Sequence, residues 1–287
     1  ALALGIVLGS CNIQTVQAAE VSVQQPVQTP TYRVYVNRIA NCVTVYTKDA
    51  NGEYTVPVRS FACSCGREGM ETPLGSFRTS DYYPWRLMVD GSFGQYAIRF
   101  NRGILFHSVP YYTAKNDDLE KDQFNLLGSD ASLGCVRLAA SDVKWLYDNC
   151  EKGTQVVVYD DAENPGLLGK PVQMQINVEH PFAGWDPTDP NPENPWNTVR
   201  PSLYLTQDMG DGVLYVPAGT TVEQLKQYVG LKNVEGLTYA PQDYQLYING
   251  NYDLNTQGAY RVWISGQDVA GTMVQQEMIL AVIQYNN

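Results

Sequence analysis

Residues 129–141 read "SDASLGCVRLAAS" and set Cys135 between Gly134 and the pair Val136-Arg137. A glycine followed by a short apolar run is a tight bend that leads into a strand. Directly downstream, "SDVKWLYDNC" (141–150) predicts a helix. Val143, Leu146, Tyr147 and Cys150 recur at i, i+3, i+4 and i+7, Ser141 is the expected N-cap, and Gly153 follows the end. Cys150 is therefore a core residue. Cys135 stands at the strand end ahead of that helix, as either a packed sulfur or a nucleophile held by glycine.

Upstream the pattern is mostly strand. Tyr32, Val34 and Val36 share one face, and "CVTVYTKDANGEYTVPVRSF" (42–61) predicts a hairpin around Asn51-Gly52. That pairing sets Cys42 opposite Phe61 and leaves Cys63 a diagonal neighbour, so both thiols are expected to be free. Short strands follow at "SFRTS", "QYAIRF" and "ILFHSV", and "TQVVVYD" closes the unit after the helix. Residues 181–201, "PFAGWDPTDPNPENPWNTVRP", carry six prolines among acidic and amide residues and predict an extended, semi-rigid spacer. Beyond it, "SLYLT", "GVLYVP", "YQLYI", "AYRVWIS" and "QEMILAVIQ" predict a small all-β sandwich. In "TTVEQLKQYVG" (220–230), Thr220 is the expected N-cap, Glu223 its capping-box partner and Gly230 the stop.

The bulk composition narrows the function classes. The 287 residues are 44% hydrophobic and 17% charged, which is globular, and the length favours two domains. A formal charge of −11 without a basic stripe argues against nucleic-acid binding. The start, "ALALGIVLGSCNIQTVQAAE", is apolar over residues 1–9 and offers Val16-Gln17-Ala18 as a cleavage site. Residues 1–19 are thus expected to be a signal peptide with a truncated front, followed by a polar lead-in over 20–31. Leu8-Gly9-Ser10-Cys11 also fits a lipobox, the alternative in which Cys11 carries a lipid. Either way the expected location is outside the cytoplasm. Cysteines stand at 11, 42, 63, 65, 135 and 150, so without Cys11 at least one thiol has no intrachain partner. Their spacings fit no zinc pattern.

A cysteine nucleophile needs a base, a group that orients the base, and donors for the oxyanion. The chain has two histidines. His180 opens the proline-rich segment and is expected at the surface. His107 ends the strand "ILFHSV", where it can face a strand-end cysteine.

The order histidine, then Gly-Cys-apolar-Arg, resembles the L,D-transpeptidase (YkuD-type) catalytic domain. That family's signature is a strand-end His followed by Gly or Ser, then [Ser/Thr]-His-Gly-Cys-apolar-[Arg/Asn]. Here it is matched by "FHSVPYY" and "SLGCVRL", with "TPLGSF" similar to the family's Thr-Pro-x-Gly turn. Two features depart from it. Leu133 stands where the family has a histidine, and 28 residues separate His107 from Cys135, with "YYTAKNDDLEKDQFN" expected as a polar loop near the site.

The resemblance implies a mainly β fold. Residues 32–178 would be a β-rich catalytic domain with one main helix, 179–201 a linker, and 202–287 a small β-sandwich. The stretch "NTQGAYRVWISGQDVAG" gives that last domain a likeness to bacterial Ig-like surface domains. The implied roles are Cys135 as nucleophile through a thioester and His107 as general base. The Ser108 backbone carbonyl would orient the imidazole, amides around Gly134 and Cys135 would hold the oxyanion, and Arg137 would fix the loop or the substrate. Ser132 is expected to be a turn residue. The expected partners are peptidoglycan stem peptides, a donor tetrapeptide and an amine acceptor, with a wall or surface ligand for the C-terminal domain and no cofactor. Two alternatives remain: an L,D-carboxypeptidase with water as acceptor, and a catalytically silent wall-binding protein.

Overall fold

The structure, a computed structural model, describes residues 31–284. The expected signal peptide, the Cys11 lipobox and the lead-in up to residue 30 lie outside the described residues. In chain order the first part comprises β1 (Tyr32–Asn37), β2 (Cys42–Thr47), β3 (Val56–Ala62), β4 (Gly75–Arg78), β5 (Tyr82–Leu87), β6 (Phe93–Asn101) and β7 (Ile104–Ser108). A single-turn helix α1 (Lys121–Phe124), β8 (Val136–Leu138), helix α2 (Ala140–Asn149) and β9 (Gln155–Tyr159) complete it. One sheet has the order β3-β2-β1-β9-β4 and the other β5-β6-β7-β8. Apolar residues on alternate positions, Val34 and Val36 of β1, Ile98 and Phe100 of β6, Val156 and Val158 of β9, meet in one core. Helix α2 packs on β6 and β7 and adds Val143, Leu146 and Cys150, as its periodicity predicts.

The strand β8 is short but pinned on both edges. It pairs in parallel with β7, Phe106 facing Val136, His107 facing Arg137 and Ser108 facing Leu138. On its other side Ser64 and Arg137 exchange both backbone hydrogen bonds, each 2.9 Å. Three residues alone make a weak strand. Here the chain just after Cys135 is held by two neighbours.

Four expectations change before residue 202. The β2–β3 connection is no two-residue turn: residues 48–55 form a loop in which the Asp49 carboxylate accepts bonds from Asn51 N, Glu53 N and Thr55 Oγ1. With a register shift at Val45/Tyr46, Cys42 faces Ala62, and Val43 faces Phe61. Second, Ser141 does not cap α2. The N-cap is Ala139, which has no side-chain bond, and the orphan N–H groups donate to Asp186 Oδ2 (from Ala140, 2.9 Å) and Thr188 Oγ1 (from Ser141, 3.1 Å).

Third, the segment that supplies those caps is no extended spacer. Its acidic and amide side chains fold the chain back on itself: Asp186, Asp189, Asn191 and Asn194 each accept a bond from the backbone N–H two residues on. Trp196 is buried and donates Nε1 to the carbonyls of Phe182 and Trp185. It packs with Tyr111, Leu119, Phe124 and Ile176 in a second core. His180 is half-buried, stacked on Trp196 with ring centroids 4.5 Å apart. Fourth, residues 111–125 are not a purely polar loop: Tyr111 and Phe124 are fully buried and form another wall of that core.

The C-terminal part is a sandwich of a two-stranded sheet, β10 (Ser202–Leu205) with β12 (Val229–Lys232), on a four-stranded one. The latter has the order β11 (Val213–Pro217), β15 (Met273–Ile283), β14 (Gly258–Asp268), β13 (Tyr244–Gly250). Glu223–Gln227 is a 3-10 turn whose capping pair is Thr221 with Gln224, one residue later than expected. Gly230 does not stop it but lies within β12, where the Tyr204 ring occupies the space a Cβ would need, 2.3 Å away.

Candidate active site

Cys135 and His107 arrive from neighbouring strands at one cavity of about 310 Å³, together with Arg137, Leu133, Ser132, Asp90 and Arg99. The β5–β6 loop, residues 88–92, forms one wall. Cys135 is half-buried and its Sγ lies 3.9 Å from Gly103 O. Cys42, Cys63, Cys65 and Cys150 are free thiols but buried, so among the described residues Cys135 is the cysteine that solvent reaches.

His107 is 3% exposed, and its Nδ1 sits 2.6 Å from the carbonyl oxygen of Ser108. A carbonyl can only accept, so Nδ1 carries the proton and the lone pair is on Nε2. The imidazole lies this close to the sheet because β6 has a glycine beside it. A Cβ on Gly94 would come 2.8 Å from both His107 Cβ and Nδ1. The Ser108 hydroxyl serves elsewhere: it accepts from Gln95 N and donates to Val109 O.

The electrostatics describe a neutral pair. Burial, aided by the Arg137 charge, pushes the His107 pKa down to about 4. Burial raises the Cys135 thiol above its ordinary value, against the pull of the Leu105 N–H and of Arg137. At neutral pH the site holds a thiol and an uncharged imidazole, the form of histidine that accepts a proton.

Gly134 has φ +114°, open to glycine, and a Cβ there would be 3.1 Å from Ile104 Cδ1. Its N–H is already donated to Ser132 Oγ at 3.0 Å, so it is not free for an oxyanion. Ser132, fully buried, also donates to Cys135 O and so ties the loop together, as a turn residue does. Arg137 is 7% exposed, donates NH1 to Gln123 Oε1 and Ala131 O, and has a buried Nε without a partner. The insertion between His107 and Cys135 reaches the site through the Gln123–Arg137 hydrogen bond and through the Glu120 charge near Arg137 and Asp90.

Sequence reasoning missed the parts that hold these groups. Gly94 inside a strand pattern is a legible signal of close backbone approach. Thr72, first residue of "TPLGSF", is fully buried and bonds both Gly66 N and Gly134 O. Nothing local in the sequence marks Gln123.

Residues 31–158 match the YkuD family, described as the L,D-transpeptidase catalytic domain. The chain is 44% identical over 54 residues to YciB of Bacillus subtilis (strain 168), whose name describes an L,D-transpeptidase. That match covers 19% of this chain and 27% of YciB. Among solved structures it is similar to an L,D-transpeptidase from Mycobacterium smegmatis, with 20% identity and a TM-score of 0.37, over 45% of this chain and 58% of the other. For an L,D-transpeptidase from Mycobacterium tuberculosis H37Rv the values are 24% and 0.36, over 46% and 58%.

Proposed function

We propose that residues 31–158, which match the YkuD family model, act as an L,D-transpeptidase catalytic domain and that the chain cross-links peptidoglycan stem peptides by acyl transfer through Cys135. The observation that supports this most directly is the pairing of β7 with β8, which brings a half-exposed thiol and a buried, tautomer-fixed imidazole to one cavity. His107 Nε2 takes the Cys135 proton as Sγ attacks the carbonyl after the third residue of a tetrapeptide stem. The tetrahedral oxyanion collapses to a thioester and the terminal amino acid leaves with the proton. A side-chain amine of a second stem then attacks the thioester with His107 again as base; the C–S bond breaks and Cys135 leaves as the thiol, taking the proton from His107. Because thiol and imidazole start neutral, proton transfer accompanies attack, and a positioned base of this kind contributes about 10²–10⁴-fold. Arg137, buried with an unpartnered Nε, is suited to hold the donor peptide's carboxylate or carbonyl. Leu133 presents an apolar face to the cavity where the family has a histidine, so the base role rests on His107 alone.

Mass spectrometry of the purified chain incubated with disaccharide-tetrapeptide tests the proposal, with Cys135→Ala in parallel. A cross-linked dimer that the variant does not form supports transpeptidation. Tripeptide without dimer moves the assignment to a carboxypeptidase. Unchanged substrate in both samples overturns it. Export to the wall, and a wall or surface ligand for the C-terminal sandwich, remain parts of this proposal.

A further inference from the structure

We propose that Thr72 is a positioning residue for this chemistry: its buried hydroxyl fixes the peptide plane between Gly134 and Cys135 so that the Cys135 N–H faces the cavity as the oxyanion donor. The inference rests on the acyl-transfer reading above.

Thr72 is fully buried, and its Oγ1 lies 3.0 Å from Gly66 N and 3.0 Å from Gly134 O. An amide N–H only donates, so the hydroxyl accepts there and its single proton goes to Gly134 O. That carbonyl shares a planar unit with the Cys135 N–H, and in a trans peptide the two point in opposite directions. Holding the oxygen toward Thr72 therefore aims the N–H away from it. The neighbouring peptide units are also fixed, each by Ser132: its hydroxyl accepts Gly134 N–H on one side and donates to Cys135 O on the other. Between them the two hydroxyls engage Gly134 N, Gly134 O and Cys135 O. The Cys135 N–H has no acceptor among the described residues, beside a cavity that Cys135 itself lines.

Thr72 is itself anchored. Arg38 donates NH1 to Thr72 O at 3.1 Å while its guanidinium pairs with Asp160 at the end of the first sheet. Gly66 fits because it has no side chain: a Cβ would meet Met70 O at 2.0 Å. The loop 66–72 is therefore closed against the nucleophile turn from behind. The Thr72 hydroxyl is spent on Gly66 N and Gly134 O, so it acts through the backbone.

Two reactions of Cys135 separate this role from general support. Acetylation by p-nitrophenyl acetate passes through an oxyanion: Sγ bonds the acetyl carbon, the proton goes to His107, and p-nitrophenolate leaves. Alkylation by iodoacetamide forms the S–C bond with loss of iodide and has no oxyanion. With Cys135→Ala as blank, Thr72→Val is expected to slow acetylation by about 10- to 100-fold, within what one oxyanion donor supplies. Alkylation is expected to keep its rate, and Thr72→Ser to restore acetylation. Acetylation and alkylation falling together, neither falling, or Thr72→Ser failing like Thr72→Val overturns the assignment. Thermal melting reports whether the variants fold. If Thr72→Val does not, amide exchange in the unaltered chain decides: the Cys135 amide proton should exchange faster than the bonded Gly134 one, and the reverse order refutes the proposal. A chain that acetylates through Cys135 yet leaves stem peptides untouched breaks the proposed function and leaves the role of Thr72 standing. A chain that acetylates no faster than Cys135→Ala overturns both.

Discussion

The turn at 132–135 and the segment at 186–196 are built from the same device, short polar side chains that bond nearby backbone. Around Cys135 two hydroxyls fix three successive peptide units and leave one N–H facing a cavity. Around Trp196 the side chains of Asp186, Asp189, Asn191 and Asn194 close turn after turn. The indole N–H is satisfied as well. The difference lies in what is left over. A segment that engages its donors makes a wedge, whereas a turn that withholds one makes a site. Hydrogen bonds buried in either place are costly to break, but only in the first does a lost bond reach the chemistry.

That contrast can be tested from its strongest claim downward. Cys135→Ala should abolish thioester and product, a loss of more than about 10³-fold read as acyl-enzyme by mass spectrometry. His107→Gln should lower kcat/KM by about 10²–10⁴-fold with little change in melting temperature. The unaltered chain should hold its rate down to about pH 5 and lose it as pH falls through about 4, where the buried imidazole takes up a proton. A limb near the ordinary histidine value would show that the site is wetter than its packing implies.

Asp186→Ala acts on the wedge. It removes one of the two caps of α2 and the bonds that hold the other, Thr188, in place, and should cost about 0.5–2 kcal/mol of stability, measured by denaturant unfolding. The fall in kcat/KM should be far smaller than that of His107→Gln; a comparable fall would erase the distinction between the two regions. The same junction sets a pH dependence. Burial raises Asp142 to about 7, and Asp186 to about 6 despite the bonds it accepts. The folded chain therefore binds protons more tightly than the unfolded one between about pH 4 and 7. This part of the stability is fully present in acid and is lost as pH rises through 6 to 7. Asp142→Asn and Asp186→Asn together should flatten the slope of melting temperature against pH in that window. The smallest effect is Ser141→Ala, within about 0.5 kcal/mol, because that hydroxyl is not the cap.

The meeting of Cys135 with His107 in one cavity, the main helix and both groups of strands were legible because each is local: a motif, an alternation, a period of 3.6. The cap of α2 was not, because Ala140 N and Asp186 Oδ2 lie 46 residues apart and Ser141 offers an equally good local reading. The proline-rich segment misled for a related reason. Proline fixes φ without choosing between an extended spacer and consecutive turns, and the choice was made by Asp and Asn side chains and by a buried Trp196. Thr72 stayed silent because its partner, Gly134, is distant in sequence. The direction of the pKa shifts at His107 and Cys135 depends on burial, which no motif records.

The capping of α2 from outside bears on where this polypeptide can be cut. A chain ended near residue 178 would keep every residue of the catalytic motifs. It would also strip two acceptors from the start of α2, only two residues past the strand that carries Arg137, and would leave a Trp196-shaped gap against Tyr111 and Phe124. Any excised fragment meant to behave like the parent chain therefore has to take the proline-rich stretch, to about residue 200, with it.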